Sequence, residues 1–238
     1  MTTTVREQLS RERVLRAAVA LVDRDGLDAL TMRRLAVELG VGAMSLYHYL
    51  PAKRTLLDGV VEAVVDEILT TSQGDGVEAL PWSEALRRRF LAARAVMLRH
   101  PWMPELLASS RTVPPAVYAY YEWILTILVD AGFGYSLGHK ALHALGSFPL
   151  GYAQEIFRPQ PADTGLDPGA TDAEFEALAD TLPHLAVMAA TETHAAGDAA
   201  LGWCDDQAEF EFTLDLLLDG LSRHHRVGAD LGQHPPQA

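Results

Sequence analysis

Two short helical patterns separated by a glycine turn constrain the fold of this chain more than any other feature. The first pattern begins at Thr31, a residue suited to cap a helix, and stops at Gly40. In the second, only Val41 and Leu46 must point to a core if this helix packs across the first. Small Ala36 lies where the two helices would cross closely. Two short helices joined by such a turn predict a helix-turn-helix.

A third helix is predicted before this pair, between a capping Ser10 and a terminating Gly26. Its apolar residues recur at three-and-four spacing and form one stripe. Three helices in this order predict a small N-terminal domain over residues 1–60. The stripe consists of Val14, Leu15, Ala18, Leu21 and Val22.

The residues left outward by this arrangement suit contact with DNA, because the second helix of a helix-turn-helix lies in the major groove. Met44 and Ala43 are suited to touch thymine methyls, and Ser45 to bond either kind of base. Tyr47 and His48 are placed to reach phosphates. Basic residues on both flanks would fix the position on the backbone. The predicted DNA-binding residues are Thr31, Arg33, Arg34, Ala43, Met44, Ser45, Tyr47, His48 and Lys53.

The net charge of −13 argues against a nucleic-acid partner, but the charge is unevenly distributed. Residues 1–54 hold 9 of the 19 basic residues and 6 of the 32 acidic ones, a net charge of +3. The remainder carries −16. The basic end is therefore expected to meet DNA while the acidic body faces away from it.

This stretch resembles the DNA-binding domain of the TetR family of regulators. The resemblance covers roughly residues 10–60 and is carried by the segments 30–36, 39–41, 45–47 and 53–57. It implies that Arg33, Ser45, Tyr47 and Lys53 contact DNA, with Tyr47 and Lys53 on the backbone. Met44 stands where many members carry other residues, so the operator sequence does not follow from the resemblance. The alternative is a small helical bundle in which Tyr47 and Tyr49 only pack, and Tyr49 alone is better interpreted in that way.

The rest of the chain predicts a larger all-α domain over residues 61–226, followed by a disordered tail, 227–238. The first of its helices links the two domains and is suited to act as a lever. Proline at position 149 is expected to kink a later helix, and residues 158–172 read as a loop. The predicted helices are residues 53–71, 83–100, 115–129, 135–157 and 205–226.

The body resembles the C-terminal domain of tetracycline repressors in residues 141–151 and 210–221, which look like its dimer-forming helices. The resemblance implies a homodimer joined by a four-helix bundle, which would bind near-palindromic double-stranded DNA. Glu155 falls where those repressors have an acidic residue at a drug-bound magnesium ion. Their magnesium-binding histidine is replaced by an apolar residue near Leu107, so a tetracycline–magnesium ligand is not expected.

A small-molecule effector of unknown identity is expected to bind a mostly apolar pocket in this body. Aromatic residues at helical spacing more often pack in a core than line a pocket. The candidate lining residues therefore indicate only the region of the pocket, and core packing remains the alternative for each of them. The candidates are Met97, Trp102, Tyr118, Tyr121, His143, Phe148, Tyr152 and Glu155.

The competing hypothesis is a helical metal-dependent enzyme. His139 and His143 stand four apart on one helix, and Glu155, His184 or His194 would have to complete a metal site. Polar packing is the simpler interpretation of the pair, and no nucleophile, phosphate loop or dinucleotide motif accompanies it. We therefore expect neither catalysis nor a cofactor.

The remaining features favour a cytoplasmic protein. A single cysteine, Cys204, cannot form an internal disulfide. Residues 1–10 lack the apolar core of a signal peptide, and no stretch reaches the roughly 18 uncharged apolar residues that a membrane span needs.

Overall fold

The computed structural model describes residues 9–73, 80–110, 112–152, 181–184, 186–188 and 206–232, and the all-α class predicted from the sequence is confirmed there. A short 3₁₀ helix, Leu27–Ala29, precedes the second α-helix. The helices are α1 (Arg11–Asp25), α2 (Met32–Leu39), α3 (Ala43–Tyr49), α4 (Lys53–Ser72), α5 (Trp82–Arg99), α6 (Met103–Ser109), α7 (Pro115–Asp130), α8 (Tyr135–Tyr152) and α9 (Asp206–Gly232).

The chain divides into two compact units. The first comprises residues 1–149 and 221–238, and the second residues 150–220. In the first unit α4 packs against α1, α5 and α7. In the second, the ring of Tyr152 meets that of Phe210 edge to face, with centroids 5.3 Å apart. The domain boundary predicted at residue 60 lies inside the first unit and stays a prediction.

The starts and stops of the N-terminal helices follow from the residues predicted to set them. The Ser10 hydroxyl accepts a hydrogen bond from the Arg13 amide at 3.1 Å, and the Thr31 hydroxyl accepts one from the Arg34 amide at 3.2 Å. Gly40 ends α2 with a φ of +64°, a left-handed conformation that is unfavourable for residues other than glycine. These predicted helix limits are therefore confirmed.

One hydrophobic core joins the N-terminal helices to α4, α5 and α6 within the first unit. The contact between α1 and α4 is close at Gly59, where an added Cβ would lie 2.6 Å from Leu15 Cδ2. Burial of this shared core orders the N-terminal helices together with the long helix that follows them. Its fully buried members include Val14, Ala18, Leu21, Leu35, Leu46, Leu50, Leu56, Val60, Val64 and Val96.

Two parts of the fold differ from expectation. Helix α6 was not among the predicted helices. Pro104 lies in its first turn, where a missing amide costs little. Helix α9 runs to Gly232, past the predicted end at Arg226, so the disordered tail is wrong over residues 227–232. Glycine at position 228 was not enough to end the helix. The loop 158–172 and the helical extension beyond Tyr152 lie outside the described residues.

Candidate nucleic-acid interface

Helix α3 has one fully buried side chain. Its opposite face carries both polar and apolar residues and is exposed to solvent. Leu46 is fully buried, whereas Met44 is 81% exposed. Ser45 and His48 are also exposed, and Tyr47 is 42% exposed. At about 100° per residue these four side chains lie on the side of the helix away from Leu46. The face predicted to read DNA therefore points outward.

At the two ends of α3, the position of Ala43 differs from the prediction and that of Tyr49 agrees with it. Ala43, expected outward, is half-buried and packs against the core, because it lies three residues before Leu46 and hence about 60° away around the helix. Val41, expected to face the core, is half-buried. Tyr49 is also half-buried, and its hydroxyl donates to the Leu9 carbonyl at 2.8 Å. Tyr49 therefore packs, as the sequence suggested.

The predicted phosphate-contacting cations differ in how free they are. Arg33 and Lys53 are exposed, and neither has an ion-pair partner in the part of the chain that the structure describes. Arg34 lies 2.6 Å from an Asp25 carboxylate oxygen. Hydrogen bonding by Arg24 holds the pKa of Asp25 below its ordinary value, and Arg34 adds to this effect. Arg34 must therefore exchange an internal partner for a phosphate, while Arg33 and Lys53 need not.

Thr31 is exposed at the start of α2, where its hydroxyl already accepts a hydrogen bond from the Arg34 amide. This capping bond fixes the angle at which α2 enters the motif, so the described role of Thr31 is structural. A DNA contact by Thr31 stays a prediction.

Polar contacts tie α1 to the helices that follow the reading motif. Arg11 on α1 donates two hydrogen bonds to the Glu62 carboxylate on α4, at 2.7 and 2.8 Å. At the other end of α1, one carboxylate oxygen of Asp23 accepts from the Trp102 indole at 2.7 Å and meets His100 Nδ1 at 2.7 Å. The second ring nitrogen of His100 lies 3.1 Å from Glu67 on α4. The buried His100 ring therefore joins α1 and α4 to the end of α5, and Trp102 joins α1 to the start of α6.

The candidate effector-binding residues have different environments. Trp102 is buried in the main core with its indole N–H bonded to Asp23, which is a packing position. Tyr118 and His143 are exposed. Tyr152 belongs to the second unit, where its hydroxyl donates to Glu209 at 3.4 Å. Met97, Tyr121 and Phe148 are half-buried in the first unit, and Glu155 lies outside the described residues.

The helices α5 and α7 carry a buried polar cluster that the sequence analysis missed. Arg89 is only 3% exposed, and its guanidinium carbon lies 3.6 Å from the ring centroid of Trp123. The Arg89 Nε and Nη1 atoms and the Tyr120 hydroxyl are buried, and none of the three has a hydrogen-bond partner in the part of the chain that the structure describes. A signal was available, because Arg89 falls three residues after buried Leu86, on the inward stripe of α5.

The pair behind the metal hypothesis lies on the surface of α8. The rings of His139 and His143 meet edge to face with centroids 4.7 Å apart, and both residues are exposed. Among the residues that the structure describes, no three His, Cys, Asp or Glu side chains are grouped to hold a metal ion. Glu155 and His194 lie outside that set. No described helix is both long and apolar enough to cross a membrane.

Comparisons with known proteins agree with this geometry. The sequence profile described as bacterial regulatory proteins, tetR family, matches residues 14–60, and that of the tetracyclin repressor-like C-terminal domain matches residues 77–224. The HTH-type transcriptional repressor DrrR1 of Streptomyces coeruleorubidus is 31% identical over 90% of this chain and 77% of its own length.

Two solved structures from Streptomyces coelicolor are also similar. One is a possible TetR family transcriptional regulator, 32% identical, with a TM-score of 0.65 over 90% of this chain and 99% of that one. The other is the TetR family protein ActR in complex with actinorhodin, 26% identical, with a TM-score of 0.68 over 92% of this chain and 99% of that one.

An exposed recognition helix, held by a core shared with a larger helical body, defines a helix-turn-helix transcription regulator. The chain belongs to the TetR family, with a C-terminal domain of the tetracycline-repressor type. The alternative of a helical metal-dependent enzyme finds no support in these matches, which are named as regulators.

Proposed function

We propose that this protein is a dimeric repressor that binds a near-palindromic operator through α3 and leaves it when a small molecule binds the body. The observation that carries the proposal is the exposed face of α3, where Met44 is 81% accessible although it is apolar. A large exposed apolar side chain beside hydrogen-bonding neighbours suits a helix that docks in the major groove. The names of the relatives support repression, and the ActR complex supports a small-molecule effector.

Different residues carry affinity and specificity in this proposal. Met44 and Ser45 read base edges, with Ala43 limited to a lesser contact by its half-buried position. Tyr47 and His48 bond phosphates from α3. The flanking cations Arg33, Arg34 and Lys53, together with Thr31, fix the protein on the backbone.

The link between effector and DNA runs through α4 in this proposal. Helix α4 begins at Lys53, beside the reading motif, and packs against α1, α5 and α7. The hydrogen bonds of Asp23 and Glu67 with His100 hold α1 and α4 to the end of α5. A ligand that repositions α5 or α7 therefore moves the helix that carries the recognition helix.

Dimerisation is supported by the surface of α9. Phe212 and Leu216 lie four residues apart and are exposed at 65% and 51%. An apolar pair at this spacing on one helix face is typical of a surface buried by a second subunit. We propose that α8 and α9 of two subunits form the interface, and that the protein acts in the cytoplasm, where its DNA target lies.

Selection of tight-binding sequences from random duplex DNA tests the proposal, and it should be done at two salt concentrations because phosphate contacts weaken with salt. We expect a near-palindrome whose half-site centres lie about 34 Å, or a multiple of that, apart. Enrichment of no sequence by a protein shown to be folded and dimeric would contradict the proposal.

A further inference from the structure

The strongest unexplained feature of the molecule is a buried cation that has no counter-ion among the residues that the structure describes. The Arg89 side chain on α5 is almost completely enclosed, and its Nε and Nη1 atoms donate to nothing in the described part of the chain. The Tyr120 hydroxyl on α7 is buried and equally unpartnered. Buried polar groups are nearly always hydrogen-bonded, so two such groups on neighbouring helices require an explanation.

The enclosure of Arg89 is unfavourable in the isolated chain. A buried charge needs a partner of opposite sign, and an arginine cannot avoid the penalty by losing its proton. Burial lowers the pKa of Arg89, but a guanidinium stays protonated at neutral pH. Burial raises the pKa of Tyr120, so its hydroxyl also stays a hydrogen-bond donor. The face of the guanidinium is covered by Trp123, which offsets part of the penalty. Nε and Nη1 still have no hydrogen-bond partner among the described residues.

The cluster lies where a ligand would affect α4. Helices α5 and α7, which supply its residues, pack on each other and on α4. Tyr120 also packs against the core that contains the α4 residues Val61, Val64 and Val65. An anion held between α5 and α7 would therefore act on two helices that pack against α4, the helix that begins beside the recognition helix.

We propose that Arg89 and Tyr120, backed by Trp123, bind an acidic group of the effector, so that the effector class is an organic acid. The acidic group accepts from Arg89 Nε and Nη1 and from the Tyr120 hydroxyl, and thereby supplies a counter-ion that the described residues do not provide. This inference rests on the proposed function, because it names the chemistry of the small molecule that the regulator senses.

A pair of fluorescent probes tests the inference with the full chain. 8-Anilinonaphthalene-1-sulfonate carries an anionic group, and N-phenyl-1-naphthylamine has the same ring system without it. Titration of each into the wild-type protein, and into Arg89→Met, yields the ratio of the two affinities. We expect the mutation to weaken sulfonate binding at least ~10-fold and to leave neutral-probe binding within about 3-fold, as loss of a charge-assisted contact requires.

Matched variants locate the effect. Arg88→Met removes the neighbouring cation, which is exposed and bonds the Gln73 carbonyl, and it should leave the affinity ratio unchanged. Arg89→Lys keeps the charge and should restore part of the sulfonate preference. Tyr120→Phe keeps the ring and should weaken the sulfonate alone, which keeps the test decisive even if Arg89→Met fails to fold. An affinity ratio unchanged in both Arg89→Met and Tyr120→Phe, or lowered as much by Arg88→Met, would overturn the inference.

Operator binding by the same preparations separates this inference from the proposed function. If the wild-type protein enriches an operator but the affinity ratio is the same in the Arg89 and Tyr120 variants, only the effector class is overturned. A protein that shows the Arg89-dependent ratio but binds no DNA sequence would overturn the proposed repressor, with the acid site intact.

Discussion

The outward face of α3 and the buried cluster between α5 and α7 depart from the usual pattern of a folded protein in opposite directions. On α3 an apolar side chain, Met44, is exposed to water. Between α5 and α7 a cation, Arg89, is removed from water and has no counter-ion within the described ranges of the chain. Neither placement stabilises the isolated chain.

The difference between the two regions indicates which kind of partner each one needs. An exposed apolar face on a helix with a buried anchor needs a surface to cover it, and the groove of a duplex is large enough to do so. A buried cation needs a small anion that enters the body. In the proposed function, a DNA duplex covers the exposed face of α3, and an acidic effector pairs with Arg89.

The largest expected effect tests the anchor of α3 against its outward face. Leu46→Ala should lower the free energy of unfolding by about 2–5 kcal/mol, because the side chain is fully buried. Met44→Ala should change it by less than ~0.5 kcal/mol and should alter the preferred DNA sequence instead. Urea denaturation measures both variants. Equal losses of stability would show that Met44 packs, which would remove the basis of the comparison.

The next effect concerns the positioning residues of the DNA-binding surface. Tyr47→Ala combined with Lys53→Ala should weaken binding to every duplex by about 10–100-fold and reduce the salt dependence, because both residues are proposed to contact phosphate. Fluorescence anisotropy at two salt concentrations measures this. The matched control, Tyr118→Ala with Arg88→Ala, removes an exposed phenol and an exposed cation from α7 and α5. If the control weakens DNA binding as much, the assignment of α3 is wrong.

A smaller effect is expected at the junction between the two regions. Trp102→Phe keeps an aromatic ring but removes the N–H that donates to Asp23, and it should lower the free energy of unfolding by about 1 kcal/mol. Chemical denaturation reports the loss, with Trp82→Phe as the control at a half-buried indole that meets Phe133 edge to face. A larger loss in Trp82→Phe than in Trp102→Phe would argue against the Asp23 contact as a tie between α1 and α6.

The smallest effect is a pH dependence of the tie between α1 and α4. Hydrogen bonding by Arg11 holds the pKa of Glu62 below its ordinary value of 4.5, against the opposing effect of burial. A lowered folded-state pKa means that the stabilisation is complete above pH 4.5 and is lost as the pH falls through the folded value. The two side chains are more than a third exposed, so the loss should not exceed ~1 kcal/mol.

Glu62→Gln provides the measurement for this pH effect. The variant should be less stable than the wild type at pH 7 and should show a shallower loss of stability between pH 5 and about pH 3. Parallel acid titrations of the two proteins by circular dichroism, with Glu84→Gln on α5 as an exposed control, would reveal the difference. If the wild type and Glu62→Gln lose stability identically at acid pH, the contact between Glu62 and Arg11 does not stabilise the packing of α1 on α4.

The N-terminal helices were predictable because local signals and the core agree there. Ser10 and Thr31 cap the helices that they were expected to cap, and Gly40 ends α2. Leu46 was expected to face the core and is fully buried. The position of Ala43 was wrong, because a small residue fits on either side of a helix and its direction is decided by the packing of Leu46.

The body was less predictable because its important residues depend on contacts between distant helices. Arg89 lies within a run of three arginines that reads as a solvated face, although its spacing from Leu86 places it inward. Trp102 looked like a pocket residue, but its packing is decided by Asp23 on α1, far away in sequence. Aromatic residues at helical spacing do not reveal whether a ligand or another helix covers them.

The most direct test of the central claim, that the outward face of α3 reads DNA, is a selection from random duplexes with three proteins in parallel. These are the wild type, the pair Met44→Ala with Ser45→Ala, and the pair Tyr47→Ala with Lys53→Ala. The account predicts a changed consensus in each half-site for the first pair, and the wild-type consensus at lower yield for the second. An unchanged consensus from the Met44 and Ser45 variant, at undiminished yield, would contradict it.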